Sequence, residues 1–169
     1  YPCKTVRDTF VGPRFCLLEE FGVLAVCERN TIKIIELHSL RCIQEKTFES
    51  RVDDIAFSTK INFLAVCLGE ENGGILVFSL DKAGKLLHLE HRIASKSGIQ
   101  NKIYFEDNIL VVHKKFSDSN VFLIHEINGP ANEHWKWHYE DGRVSNLIIL
   151  PKQKKIFFSW VGFSLQKTI

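Results

Sequence analysis

The sequence predicts an all-β fold built from a repeated unit, and three observations carry this prediction. Short apolar runs rich in Val, Ile, Leu and Phe are separated by turn-forming residues. No segment of 12 or more residues shows a helical period of apolar residues. The motif Leu-Ala-Val-Cys occurs at 24–27 and again at 64–67, with related motifs at 110–113 and 157–160. These intervals of 40 to 47 residues indicate that one structural unit recurs along the chain.

Each unit is predicted to contain up to four strands. Leading strands are expected at 14–18, 52–57, 102–105 and 144–150. The repeated motifs supply the second strands, each after a turn, at 20–22, 60–62, 106–108 and 152–154. Third strands are expected at 32–37, 75–80 and 122–127, and fourth strands at 41–48, 86–93 and 134–139. Gly, Asn and Asp in the connections tolerate the tight backbone of hairpins, so consecutive strands should pair antiparallel.

Four strands recurring at this spacing are typical of the blades of a β-propeller. We therefore predict an all-β propeller of about four four-stranded antiparallel blades. A β-sandwich of short hairpins is the structural alternative. The expected blades are roughly 14–50, 51–97, 98–140 and 143–169, the last completed by a strand from 1–12. A closed ring of four blades is possible, but a portion of a larger ring is preferred, since the usual ring needs more residues.

The third strands end at 35–37, 78–80 and 124–127, the place where a WD40 repeat commonly carries Trp-Asp. The chain resembles WD40-type repeat proteins in period and strand pattern over nearly its whole length. The Trp-Asp and Gly-His motifs of that family are absent. The resemblance implies a noncatalytic scaffold for protein–protein interaction within a larger complex. The alternative is an RNA-associated accessory subunit, such as the WD-repeat partner of a tRNA methyltransferase, which the chain resembles around 75–89.

Composition narrows the class of protein. Lys and Arg total 22 against 20 Asp and Glu, and this net charge of +2 does not indicate a strongly basic nucleic-acid module. The five cysteines form no Cys-x-x-Cys pair and several lie in apolar runs, which favours buried free thiols in a reducing compartment. An intracellular location, in cytoplasm or nucleus, is therefore expected. No apolar stretch reaches the roughly 18 residues that cross a bilayer.

The sequence predicts no catalytic site. The chain has no Gly-x-Ser-x-Gly elbow, His-Glu-x-x-His motif, phosphate-binding loop or dinucleotide fingerprint. We expect no enzyme activity, no cofactor and no small-molecule substrate. His134 and His138 would share a strand face, but a third metal ligand would have to come by accident from Glu140 or His125, so no metal site is predicted. The acidic pair 53–54 is expected to serve as a cap or in a loop.

Two groups of residues are candidates for partner binding. In a propeller, the loops that enter the first strands share one rim with the loops between second and third strands. The basic residues expected on that rim are Arg29, Arg51, Lys96, Lys114, Lys115 and Arg143. Such a rim could bind an acidic protein surface or a phosphate backbone. Acidic residues interspersed among the basic ones weaken the prediction that it binds a phosphate backbone. The aromatic candidates, which would share one strand face, are Trp135, Trp137 and Tyr139. Solvated loops and packing between blades are the structural alternatives for the two groups.

Overall fold

The computed structural model describes residues 14–69, 74–94, 100–115, 120–128, 134–139, 144–150, 155–160 and 163–168, with side chains at 14–69, 74–94, 102–114 and 121–128. The first sheet, blade 1, contains β1 (Arg14–Leu18), β2 (Val23–Glu28), β3 (Thr31–Glu36) and β4 (Cys42–Thr47). Blade 2 contains β5 (Val52–Ser58), β6 (Phe63–Leu68), β7 (Gly74–Leu80) and β8 (Leu86–Ala94). Blade 3 contains β9 (Gln100–Glu106), β10 (Ile109–Lys115), β11 (Asn120–Glu126) and β12 (His134–Tyr139). Blade 4 contains β13 (Val144–Leu150), β14 (Lys155–Trp160) and β15 (Phe163–Thr168).

Within every sheet the strands lie in chain order and each neighbouring pair is antiparallel. The predicted all-β architecture of antiparallel hairpins is therefore confirmed. A 3₁₀ turn, Glu19–Phe21, joins β1 to β2 and ends at Gly22, whose φ of 61° is left-handed. The strand expected within 1–12, which was to complete the last blade, lies outside the described residues.

The sheets are stacked through their first strands. Strand β1 contacts β5, β5 contacts β9, and β9 contacts β13. Each blade is therefore a neighbour of the next blade along the chain, with its first strand on the inside of the stack. This order is that of propeller blades, whose first strands surround a common axis.

Two apolar clusters fill the spaces between blades 1, 2 and 3. Alternate residues of β6 divide between them, because successive side chains of a strand point to opposite faces. Leu64 and Val66 belong to the cluster between blades 1 and 2, which we call the first interface. Ala65 and Cys67 belong to the cluster between blades 2 and 3, the second interface. Both faces of β6 are thus buried, which explains why its sequence is continuously apolar rather than alternating.

Candidate partner-binding rim

The turn between β2 and β3 holds the first predicted rim residue. Arg29 is exposed and has a φ of 56°, a left-handed conformation that is uncommon for a side chain other than Gly, Asn or Asp. Its carbonyl accepts a hydrogen bond of 2.7 Å from the N–H of Val52. The neighbouring Asn30 donates through Nδ2 to the carbonyl of Phe48 at 3.0 Å, and its own carbonyl accepts from the Phe48 N–H. This turn therefore fixes the backbone that connects blade 1 to blade 2.

Arg51 lies in that connection, and a buried carboxylate orients its side chain. Its Nε and Nη2 donate to Oδ1 of Asp53 at 3.0 and 2.7 Å. The Arg51 side chain is 56 % exposed, whereas that of Asp53 is 4 % exposed. The carboxylate holds the guanidinium in one orientation, while more than half of the Arg51 side chain stays exposed. Such a group is prepared to bind an acceptor without first losing much side-chain freedom.

A bulge in β5 brings Asp53 to this position. Val52 is paired with Leu68 but Asp54 is paired with Cys67, so Asp53 is the inserted residue. A Cβ added at Gly69 would lie 2.8 Å from Oδ1 of Asp53, so a larger residue at this position would have to displace the Asp53 carboxylate. The two acidic residues therefore belong to a strand, and the expectation that they serve in a loop or as a cap is wrong.

Asp54 joins three blades at the inner end of the rim. Its Oδ2 accepts from the N–H of Ile103 in blade 3 at 3.0 Å, and its Oδ1 lies 3.6 Å from Nη1 of Arg14 in blade 1. Burial raises the pKa of Asp54 above its ordinary value, while the Ile103 N–H and Arg14 act in the opposite direction. Sequence reasoning missed this contact, because Arg14 and Ile103 are far from Asp54 along the chain. The ion pair between Arg51 and Asp53 could have been predicted, because the two residues are two positions apart on a predicted strand boundary.

Two thiols lie beneath this end of the blades. Burial raises the pKa of Cys27 to about 11 and that of Cys67 to about 12. The Cys27 thiol contacts the carbonyls of Arg29 and Val52 at 3.9 and 4.0 Å. Both are free thiols, in keeping with the sequence prediction for them, and at neutral pH they are protonated and therefore weak nucleophiles.

Lys114 differs from its predicted place. It lies within β10 rather than in a loop and is 4 % exposed. Burial lowers the pKa of Lys114, and the nearby Cys67 acts in the opposite direction. The expectation that its ammonium faces a partner is therefore not met in this structure. The sequence gives no sign that Lys114 is buried. Another lysine follows it, and lysine side chains are almost always exposed.

The structure describes only the backbone of Lys115, another of the predicted rim residues. Lys115 is the last residue of β10, where its register partners are Gln100 and Asn120. Two further rim candidates, Lys96 and Arg143, lie outside the described residues.

The aromatic candidates lie on β12, the outermost strand of blade 3. Their register partners are Ile124 for Trp135, Phe122 for Trp137 and Asn120 for Tyr139. The three residues therefore stand at every second position of one strand, as the sequence predicts. Their role in binding stays a prediction.

Across the part of the chain whose side chains are placed, no group of three or more His, Cys, Asp and Glu is arranged to hold a metal ion. Within the same described ranges, no helix is long and apolar enough to cross a membrane. His125, a possible ligand in the sequence analysis, is buried at 5 % exposure in β11.

Comparison with solved structures identifies the architecture. The chain is similar to Sqt1 of Saccharomyces cerevisiae, with 17 % identity and a TM-score of 0.64 over 92 % of this chain and 44 % of that one. It is similar to the β-propeller domain of Cps50 (Swd1) of Myceliophteria thermophila, with 9 % identity and a TM-score of 0.61 over 92 % and 51 %. The WD40 domain of Toxoplasma gondii coronin matches with 12 % identity and a TM-score of 0.58 over 82 % and 37 %.

An enzyme also shares this architecture. The dihydro-heme d1 dehydrogenase NirN matches with 14 % identity and a TM-score of 0.56, over 94 % of this chain and 34 % of that one. No protein-family model matches the chain, and no curated protein matches it in sequence. The chain spans about a third to a half of the length of these solved structures. The stacked sheets and these likenesses together show the β-propeller fold of WD40-type domains, in a divergent form without the Trp-Asp motif.

Proposed function

We propose that the chain is a noncatalytic scaffold that binds an acidic surface of a partner protein, as a subunit of a larger complex. The binding site is the rim formed by the β2–β3 turn and the connection into β5. The single observation that carries the proposal is the pair of exposed, backbone-fixed arginines on that rim, Arg29 and Arg51. Proteins of this fold present such loops from a rigid stack of sheets.

The geometry around Arg51 favours recognition of a carboxylate over general attraction of anions. Two of its donors are used by Asp53, which leaves a directed set of outer N–H groups. The buried Asp53 offsets part of the positive charge of the rim for any anion, so the rim lacks the accumulated charge with which proteins hold a phosphate backbone at many points. The RNA-associated alternative therefore has less support from this region than binding to an acidic protein segment.

The fold alone does not separate a scaffold from an enzyme, since NirN shares the architecture. The burial and pairing of the reactive side chains near the rim support the proposal of a noncatalytic scaffold. The Cys27 and Cys67 thiols are buried with raised pKa values, and the Asp53 carboxylate is held by Arg51. These groups are arranged for structure rather than for nucleophilic or acid–base chemistry.

The test compares binding of an oligo-glutamate peptide and of single-stranded oligo-uridine RNA to the purified chain. The rim variants are Arg29→Asn, because Asn tolerates a positive φ, and Arg51→Gln, which keeps a donor toward Asp53. The matched control is Lys82→Gln, which removes one exposed charge from the β7–β8 turn at the opposite end of the blades.

The proposal predicts that the peptide binds and that the double rim variant loses at least about tenfold in affinity, a change of about 1.4 kcal/mol. The Lys82→Gln control should bind like the unaltered chain. An equal loss in the control would overturn the rim as the site. Tight RNA binding with a steep salt dependence, lost in the rim variants, would establish the RNA-associated alternative instead.

A further inference from the structure

The turn between β3 and β4 holds a leucine in a conformation that leucine rarely adopts. Leu40 has a φ of 55°, in the left-handed region where the Cβ of a bulky residue is crowded by its own backbone. Glycine or asparagine would occupy this position at a lower cost in free energy. The backbone of the turn therefore does not explain why the residue is leucine.

The equivalent turn of blade 2 has glycine at this position. In blade 2, the backbone hydrogen bond that closes the turn ends at the carbonyl of Lys85, and the residue before it, Gly84, has a φ of 74°. In blade 1, the closing hydrogen bond of 2.9 Å ends at the carbonyl of Arg41, and the residue before it is Leu40. Two hairpins that join the same pair of strands thus meet the same backbone requirement with residues of very different size.

Packing within the chain does not explain the leucine either. Leu40 is 77 % exposed, the largest exposed fraction among the large apolar side chains of the described residues. Gly84, by contrast, lies so close to Phe21 and Val23 that there is no room for a Cβ. Leu37, three residues before Leu40, is 41 % exposed. We call these two exposed leucines and the residues between them the leucine turn.

Hydrogen bonds fix the leucine turn. The N–H of Leu37 donates to the carbonyl of Gly22 at 2.9 Å, which ties the turn to the 3₁₀ turn of the same blade. The Ser39 hydroxyl donates to the carboxylate of Glu36 and accepts from the N–H of Arg41 at 3.3 Å. Backbone strain that surrounding contacts hold in place is typical of binding sites. A turn ordered in this way also loses little conformational entropy when a partner binds it.

The charges around the leucine turn favour a protein partner over a membrane. The charged residues in or beside this turn, the 3₁₀ turn and the β7–β8 turn are Glu19, Glu20, Glu36, Arg41, Asp81, Lys82 and Lys85. Four acidic and three basic residues give no excess of positive charge, whereas segments that bind anionic lipid carry clusters of Lys and Arg. An apolar centre within a border of mixed charge is the usual composition of a contact between proteins.

We propose that the leucine turn is a second docking site, in which Leu40 and Leu37 insert into an apolar cleft of a partner protein. The site lies at the end of the blades opposite the rim, because β3 and β4 are joined at the end away from the β2–β3 turn. In the complex, burial of the Leu40 side chain offsets the cost of its left-handed backbone. The site is separate from the rim, so either proposal can fail while the other holds.

The first measurement asks whether the chain itself needs Leu40. Leu40→Asn removes the apolar side chain and introduces a residue that tolerates a positive φ. Its thermal unfolding midpoint should not fall, and a rise of about 2 °C is expected because strain is removed. The control is Leu87→Asn, which should lower the midpoint because asparagine is unfavourable in a strand. A lowered midpoint for Leu40→Asn would show that the fold uses Leu40 and would overturn the proposal.

The second measurement identifies the partner through contact with position 40. A diazirine analogue of leucine is placed at position 40 of the chain in its source cells and activated by light. The same analogue at position 87 is the control, since Leu87 is 55 % exposed in a strand. Each protein crosslinked at position 40 but not at position 87 is purified, and calorimetry measures its affinity for the unaltered chain and the variants.

Leu40→Asn should lose at least tenfold in affinity for that protein, whereas Leu87→Asn and the double rim variant should bind like the unaltered chain. Equal affinities of Leu40→Asn and the unaltered chain would overturn the proposal. No protein crosslinked at position 40 alone would overturn it as well. Crosslinks to phospholipid only would assign the leucine turn to a membrane surface instead. A loss in the double rim variant, with Leu40→Asn unaffected, would leave the rim as the binding site and remove the leucine turn from it.

Discussion

The first and second interfaces join equivalent faces of consecutive blades but differ in chemistry. At the first, the ring centroids of Phe21 and Phe57 are 5.8 Å apart and those of Phe48 and Phe78 are 6.1 Å apart. The ammonium of Lys46 lies 5.2 Å from the centroid of the Phe78 ring. Aromatic contacts between blades therefore supplement the aliphatic cluster.

The second interface is supplemented mainly by polar contacts. Lys60 is 2.9 Å from the Asp107 carboxylate, and the Ser58 hydroxyl donates to the Asp107 carbonyl. His91 and Asn128 share a hydrogen bond of 3.1 Å. The two interfaces therefore share an apolar centre, while different side chains close their edges.

The largest expected effect is on the apolar centres, which the two interfaces share. Leu64→Ala and Leu110→Ala should each lower the free energy of unfolding by about 3 kcal/mol, because both side chains are fully buried. Leu87→Ala, at a 55 % exposed site, should cost less than about 0.5 kcal/mol. Urea denaturation measures all three. A much smaller loss for one buried leucine would mean that its interface is not packed as described.

A glycine substitution should break the first interface selectively. Gly84 has a φ of 74°, and an added Cβ would lie 2.7 Å from Cγ2 of Val23 and 2.9 Å from Cβ of Phe21. Gly84→Ala should therefore cost about 2 kcal/mol, from the left-handed backbone and the clash with blade 1. The thermal unfolding midpoint measures the loss. Ala83→Gly, one residue earlier in the same turn, serves as the control for changing the turn itself. Unchanged stability in Gly84→Ala would show that this turn does not pack on blade 1.

A smaller effect is expected at the outer edge of the first interface. Gln44 of β4 accepts from the N–H of Leu86 at 2.7 Å and donates to its carbonyl at 3.1 Å, as another strand would. Gln44→Ala should lower the free energy of unfolding by about 1 kcal/mol, since both backbone groups lose their partner. Glu45→Ala, at the exposed neighbouring position, should be close to neutral. Chemical denaturation that gives equal losses for the two variants would contradict this contact.

A dependence of stability on pH is expected through Asp54. Its folded-state pKa is raised above the ordinary value of 3.8, chiefly by burial. A carboxyl shifted in this direction contributes stability below its ordinary pKa, and that contribution is lost as pH rises through the folded-state pKa. The difference in unfolding free energy between the unaltered chain and Asp54→Asn should therefore fall as pH rises above 3.8. A difference that stays constant or grows would show that the sign is wrong.

Much of this fold could be predicted because the apolar runs repeat. The recurring motif identified the second strand of each blade. The alternation of side chains along a strand explains how β6 contributes to both interfaces. Strand β9 begins at Gln100 rather than at the expected position 102, because polar residues at its start conceal the strand pattern. The bulge at Asp53 and the burial of Lys114 depend on the neighbouring blade, which no local pattern reveals. The rim was therefore predicted in position for Arg29 and Arg51 but not in its internal contacts.

Blades 2 and 3 are consecutive in the stack and are joined through Asp54. The most direct measurement is amide hydrogen exchange at Ile103, followed by NMR in the unaltered chain and in Asp54→Ala. The Ile103 N–H should be protected in the unaltered chain, because it donates to Oδ2 of Asp54, and should lose that protection in the variant. The amides of β10 should stay protected in both. An Ile103 amide that exchanges at the same rate in both proteins would contradict the stacking of these two blades.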